Sequence, residues 1–180
     1  SGAFMITRLS QNPWLDPAYM LALGNQTDLT HGDMLSYFAA LPGIETLGIY
    51  IEGFKDLDGL AFAKAVRKAV LNGKQIVVYK SGRTAPGQGG VMGHTASIAG
   101  GLTLFESVVR HAGAIVAEDF NSFDDLFYIA GVLQGKKIGG RRIGAISGAG
   151  FEAVGMADNI ESDSFALEMG ALEDATVKKV

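Results

Sequence analysis

Two hydrophobic periods alternate along this chain, and that alternation limits the available folds more than any other feature. Short apolar runs rich in β-branched or aromatic residues occupy positions 19–23, 46–51, 75–79, 114–117 and 143–147. Runs of that length and composition read as buried strands. Between them the period changes to that of a helix. Met34, Leu35, Phe38 and Leu41 share one face, as do Leu60, Ala63, Val66 and Val70, and a third stripe holds Leu126, Ile129, Ala130 and Leu133. Pro42-Gly43 and Asn72-Gly73 supply helix stops, and Ser122 is the expected N-cap ahead of Asp124 and Asp125. Strand–helix–strand alternation at this spacing predicts an α/β fold, with a parallel sheet covered on both faces. Ligands of such open sheets sit at the carboxyl ends of the strands.

Composition narrows the class. Of 180 residues, 48% are apolar, enough for a sizeable core, which excludes a disordered or solvating segment. Fifteen Lys and Arg against 19 Asp and Glu give a net charge of −4, so the basic footprint of a nucleic-acid binder is missing. Cysteine is absent, which removes disulfides, thiolate metal sites and a thiol nucleophile, and makes a cytoplasmic location the expectation. No apolar run approaches the ~18 residues of a membrane span, so no membrane partner is expected. The basic, Gly-rich stretch from Gly135 to Arg142 reads as a linker. It predicts one unit over 1–135 and the beginning of another over 136–180. At the amino end, Ser1-Gly2-Ala3 precedes a helical pattern, an arrangement that normally follows a strand.

The 25 glycines cluster, and the clusters lead into helices: Ser1-Gly2-Ala3-Phe4, the stretch from Gly82 to Gly93, and Gly148-Ala149-Gly150-Phe151. A Gly-rich turn entering a helix leaves backbone N–H groups unpaired beside the positive end of the dipole, a geometry that holds phosphate or sulfate. None matches the Walker A or dinucleotide spacing. His94 follows Gly93 in what reads as a polar loop after the strand ending at Tyr79. The other two histidines have simpler readings. His111 closes a helix before Gly113, where a cation complements the dipole, and His31, ahead of Gly32-Asp33 at a helix start, reads as a surface turn. Three scattered histidines do not make a metal site. Glu52 ends the run Gly48-Ile49-Tyr50-Ile51. Placed against His94, it would fix the imidazole tautomer and leave the other ring nitrogen as a nucleophile.

The ordered segments SGAF, YIEGFKD, KSGRT…GHTASIAG and ISGAGFEAVGMAD resemble the NDP-forming acyl-CoA synthetases, which include ADP-forming acetyl-CoA synthetase and succinyl-CoA synthetase. The resemblance implies a flavodoxin-like three-layer α/β/α domain lacking its first strand, then a partial second flavodoxin-like ligase unit. It implies that His94 becomes phosphorylated, that Glu52 orients it, and that the phosphoryl group lies between two helix starts. Those starts are Ser1, Gly2, Ala3 and Phe4 on one side and Gly148, Ala149, Gly150 and Phe151 on the other, with Gly93 beside the histidine. Acyl-CoA, phosphate and ADP would interconvert with a small carboxylic acid, CoA and ATP. CoA, ATP or ADP, and Mg2+ are implied for the complete enzyme, held by a CoA-binding Rossmann domain and an ATP-grasp domain or subunit that have no counterpart in these 180 residues. Homo-oligomerisation is compatible with the resemblance. A non-catalytic regulatory or scaffold copy of the same fold is the competing expectation.

Overall fold

The computed structural model describes residues 2–55, 57–94, 101–162, 165–171 and 173–177. The chain divides at Gly135/Lys136 into two units.

The first unit is built on three parallel strands. Helices α1 (Gly2–Gln11) and α2 (His31–Ala40) precede β1 (Thr46–Ile51); α3 (Asp58–Leu71) leads to β2 (Gln75–Lys80). Helices α4 (Ala85–His94) and α5 (Leu102–Ala112) lead to β3 (Ile115–Val116), and α6 (Phe120–Val132) closes the unit. The sheet order is β1-β2-β3, with Thr46 opposite Gln75, Ile51 opposite Lys80 and Val78 opposite Val116.

Alternation along the strands distributes the side chains between two layers. Leu47, Ile49, Ile51, Ile76 and Val78 join Leu35, Phe62, Val66 and Val109 in one core, beneath α2, α3 and α5. Val77, Tyr79 and Ala117 face the other way, toward Met5 of α1 and Phe123, Leu126 and Ala130 of α6. The first unit is therefore a three-layer α/β/α domain. Gly48 lies where α6 comes closest, since a Cβ there would sit 3.0 Å from a Phe127 ring atom. Gly113 ends α5 at φ +103°, and a Cβ at that position would meet Val70 at 2.8 Å. Only glycine combines that left-handed φ with that approach.

Several sequence expectations are corrected. Residues 19–23, read as a strand, form no ladder, and Tyr19, Met20 and Leu21 are exposed. A strand needs a hydrogen-bonding neighbour as well as a β-forming composition, and among the described residues this run has none. The α6 N-cap is Asp119, with Ser122 as its reciprocal partner: the Asp119 carboxylate accepts the Ser122 N–H at 2.8 Å, and the Ser122 hydroxyl accepts the Asp119 N–H at 3.0 Å. Leu60 and Ile129 are exposed, while Phe123 and Ala130 supply the buried face of α6. The stretch from Gly82 to Gly93, read as a loop, is mostly helix. The Thr84 hydroxyl accepts the Gly87 N–H at 3.2 Å, and Pro86 sits in the first turn, where its missing N–H costs nothing.

The second unit pairs β4 (Arg142–Ile143) in parallel with β7 (Glu168–Met169) and β5 (Glu161–Ser162) antiparallel with β6 (Phe165–Ala166). Helix α7 (Gly150–Asp158) buries none of its residues, and a short helix, α8 (Asp174–Val177), follows β7. The strand expected over 143–147 is limited to Ile143, and Ile146 is fully exposed. Among the described residues no helix is long and apolar enough to cross a membrane.

Candidate functional site

Parallel strands deliver their last residues to one edge of a sheet, and here that edge collects the polar groups. Glu52 directly follows β1. Two residues earlier on the same face, Tyr50 donates its hydroxyl to Glu52 Oε1 at 3.1 Å. The Tyr50 ring is held by Phe120, stacked at 5.5 Å between centroids, and by Tyr79 at 5.9 Å. Burial pushes the Tyr50 phenol above its ordinary value, Ser81 opposes by hydrogen bonding, and the Glu52 charge adds to the rise. Tyr50 therefore stays protonated at neutral pH and donates to the carboxylate beside it.

Lys80 ends β2, the central strand, and is 3% exposed. Its ammonium donates to the Glu52 carbonyl at 3.1 Å and to the Ser81 carbonyl at 3.4 Å. Burial lowers its pKa. Two carbonyls rather than a carboxylate satisfy this cation, so it ties the end of β1 to the end of β2. The Ser81 N–H adds a main-chain bond to the Ile51 carbonyl at 2.9 Å. The backbone of Glu52 is thus fixed from the neighbouring strand, and its side chain from its own.

Sequence reasoning singled out Glu52 but neither Tyr50 nor Lys80. Tyr50 was legible in principle, because period-two spacing puts residues i and i+2 on one face. Lys80 was not, because its partner lies 28 residues away on another strand.

Helix α4 leaves this edge after Ser81-Gly82-Arg83-Thr84. Arg83 pairs with Glu106 of α5 at 2.6 Å, anchoring the turn. Gly93 and His94 are the last two residues of α4, so the histidine expected in a loop stands at a helix end. Its side chain lies outside the described residues. Ser1 also lies outside them. Gly2, Ala3 and Phe4 form the first turn of α1, where Gly2 approaches Ala22: a Cβ on Gly2 would be 3.3 Å from that of Ala22. In the second unit Ala149 is the N-cap of α7 and Gly150 its first residue; Gly148 is exposed and Phe151 is 80% exposed. The Ser147 hydroxyl donates to Glu152 at 2.7 Å and accepts the Ala149 N–H at 3.1 Å.

The remaining histidines part company. His111 lies in the last turn of α5, exposed, as expected. His31 stands at a helix start as expected but is not on the surface. It opens α2 with both ring nitrogens buried and edge-on to Phe54 at 6.0 Å, and burial lowers its pKa against the raising effect of Asp58. Among the described residues no group of three or more histidines and carboxylates is placed to hold a metal ion.

Comparison with known proteins bears on this arrangement. Residues 1–133 match the family described as the succinyl-CoA ligase like flavodoxin domain. The chain is 31% identical to an acetate–CoA ligase (ADP-forming) of Methanocaldococcus jannaschii, over the whole chain and 25% of that protein. It is 29% identical to the alpha subunit of acetate–CoA ligase (ADP-forming) II of Pyrococcus furiosus, over 89% of the chain and 33% of that subunit. Among solved structures it superposes on the dinucleotide-forming acetyl-coenzyme A synthetase 1 of Ca. Korarchaeum cryptofilum in complex with phosphate and ADP. That match has a TM-score of 0.70 and 27% identity, over 99% of this chain and 38% of that one. The chain thus spans a quarter to a third of the length of these curated relatives. The match over residues 1–133, which is the α/β/α unit just described, places the chain in the succinyl-CoA ligase like flavodoxin domain family.

Proposed function

We propose that this chain carries the phosphoryl-transfer centre of an acyl-CoA synthetase, with His94 as phosphoryl acceptor and Glu52 as the carboxylate that orients it. The supporting observation is the fixed state of Glu52, hydrogen-bonded through its side chain by Tyr50 and through its carbonyl by Lys80 at the carboxyl edge of the sheet. A carboxylate at that edge that accepts the N–H of an imidazole leaves the second ring nitrogen with its lone pair free.

The reaction then has three balanced steps. Phosphate displaces CoA from acyl-CoA, giving acyl phosphate and the free thiol. The free nitrogen of His94 attacks phosphorus, the bond between phosphorus and the acyl oxygen breaks, and the carboxylate leaves with that electron pair. Finally a terminal oxygen of ADP attacks the same phosphorus, the P–N bond breaks, and the imidazole is regenerated with ATP as product. Such a transfer depends chiefly on positioning and on fixed dipoles around the phosphoryl oxygens. The start of α1, at Gly2 to Phe4, is the proposed dipole within the first unit. CoA and the nucleotide with its Mg2+ belong, in this reading, to a CoA-binding Rossmann part and an ATP-grasp part or subunit.

The test uses the chain with an ATP-grasp partner, ATP and Mg2+, followed by assay of acid-labile phosphate on the protein. His94→Ala is expected to lose the label completely, and label persisting on that variant overturns the assignment. Glu52→Gln is expected to slow labelling by about 10²-fold or more without abolishing it, since a misoriented imidazole still carries its nucleophilic nitrogen. An undiminished rate in Glu52→Gln removes Glu52 from the site.

A further inference from the structure

Gln26 is a buried polar residue that the phosphoryl chemistry leaves unused. It is 8% exposed, and its backbone φ of +54° lies in the left-handed region that favours glycine. Its own N–H closes the turn that carries it, donating to the Leu23 carbonyl at 3.1 Å. The side chain crosses to a segment 27 residues away, where Nε2 donates to the Gly53 carbonyl at 2.9 Å. The amide oxygen, Oε1, is buried with no hydrogen-bond partner among the described residues.

Stability does not account for this residue. One neutral hydrogen bond returns little net free energy in water. An orphaned buried carbonyl and a left-handed backbone at a non-glycine residue each cost at least as much. Glycine at position 26 would relieve both. What the side chain does instead is hold the chain directly after Glu52.

Gly53 follows Glu52 where the chain bends away from β1, and glycine has the greatest backbone freedom of any residue. Left to itself, that bend would let the Glu52 carboxylate sweep through a range of directions. Three successive carbonyls are held against it. The Ile51 carbonyl accepts the Ser81 N–H at 2.9 Å, the Glu52 carbonyl accepts the Lys80 ammonium at 3.1 Å, and the Gly53 carbonyl accepts Gln26. The first two donors come from β2 and its end. Only Gln26 reaches the bend from another segment of the chain and fixes its far side.

We infer that Gln26 is a positioning residue for Glu52, one that clamps the bend at Gly53 so that the carboxylate keeps a single direction; this rests on the role proposed above for Glu52. The strained backbone at position 26 is retained because a side chain, and not glycine, is needed there to carry the amide.

The test measures the rate of acid-labile labelling with the ATP-grasp partner, ATP and Mg2+. Gln26→Gly removes the donor and relieves the backbone. Gln26→Asn keeps an amide and accepts the left-handed backbone, but it is one methylene shorter. Both are expected to slow labelling by about tenfold or more at saturating ATP and partner, with little change in the half-saturating concentrations. A wild-type rate in either variant overturns the inference. In the Glu52→Gln background, Gln26→Gly is expected to add no further slowing, since the group it positions is already altered. A further loss of the same size there shows that Gln26 acts elsewhere and also overturns it. A readout without phosphate separates this inference from the role of His94. In the 13C-labelled chain, the Gly53 carbonyl and Glu52 carboxyl resonances are expected to move together in Gln26→Gly. A Glu52 resonance that stays in place overturns the inference whether or not His94 carries phosphate. If both resonances move while label persists on His94→Ala, the phosphohistidine reading fails and the hold of Gln26 on Glu52 stands.

Discussion

His31 shows how one side chain acquires a property that its sequence neighbours do not suggest. Both of its ring nitrogens are buried, and burial outweighs Asp58 to lower its pKa. The folded state therefore binds a proton less readily than the unfolded chain, whose histidines titrate near ~6.5. Above that pH His31 is neutral in both states and contributes no pH dependence. As the pH falls through it the unfolded chain takes up a proton first, and stability drops until the folded form also titrates. The urea midpoint should be lower at pH 5.5 than at pH 7.5, and His31→Gln should remove part of that difference. An identical drop in the variant would assign the pH dependence to other groups. Lys80 shows the same physics without the physiological window: burial lowers its pKa, yet two carbonyls keep the ammonium bonded.

Helices in this chain are defined at their ends as much as along their faces. Thr30 caps α2, its hydroxyl accepting the Asp33 N–H at 3.2 Å while the Asp33 carboxylate accepts the Thr30 N–H at 3.0 Å. That reciprocal bonding lowers the Asp33 pKa, the Thr30 backbone bond being the larger cause. Thr30→Ala removes an acceptor from an orphan donor and should cost about 1 kcal/mol in urea unfolding; a change near zero would mean that water replaces the cap fully. The cap of α6 was misread by three residues because Asp119 and Ser122 are both good capping residues, and only the geometry separates N-cap from N3. Helix α4 was misread outright. Glycine disfavours helix by up to about 1 kcal/mol per residue, so a stretch this rich in glycine reads as a loop; the Thr84 bond to Gly87 marks its helical start only in the fold.

The two units differ in how they are held. The first has a layered core in which Phe62, Ile51, Val66 and Val77 are fully buried. Phe62→Ala should cost about 3–5 kcal/mol, as expected for an aromatic removed from a packed interior, with loss of the cooperative transition as the readout. The second unit places Ile146, Phe151 and Val154 in solvent and buries nothing along α7. Its amides should exchange faster than those of β2 by orders of magnitude, since opening it breaks few apolar contacts. Exchange from α7 as slow as from β2 would show a core that the second unit does not display by itself.

Periodicity is a local property, so the amino-acid sequence alone determined the α/β class, the strands at 46–51 and 75–79 with a helix between them, and the placement of Glu52 at a strand end. The glycine stop at Gly73 was legible for the same reason: it stands directly after a helical stripe, and it has positive φ. Pairing between strands is not local. Whether residues 19–23 form a strand depends on what lies beside them, and that neighbour is set by the tertiary fold. Lys80 likewise reads in sequence as an ordinary charged residue after Tyr79. Only the alignment of β1 with β2 buries it and turns its ammonium onto the Glu52 carbonyl, because the cost of desolvating a charge is decided by surroundings that its sequence neighbours do not specify.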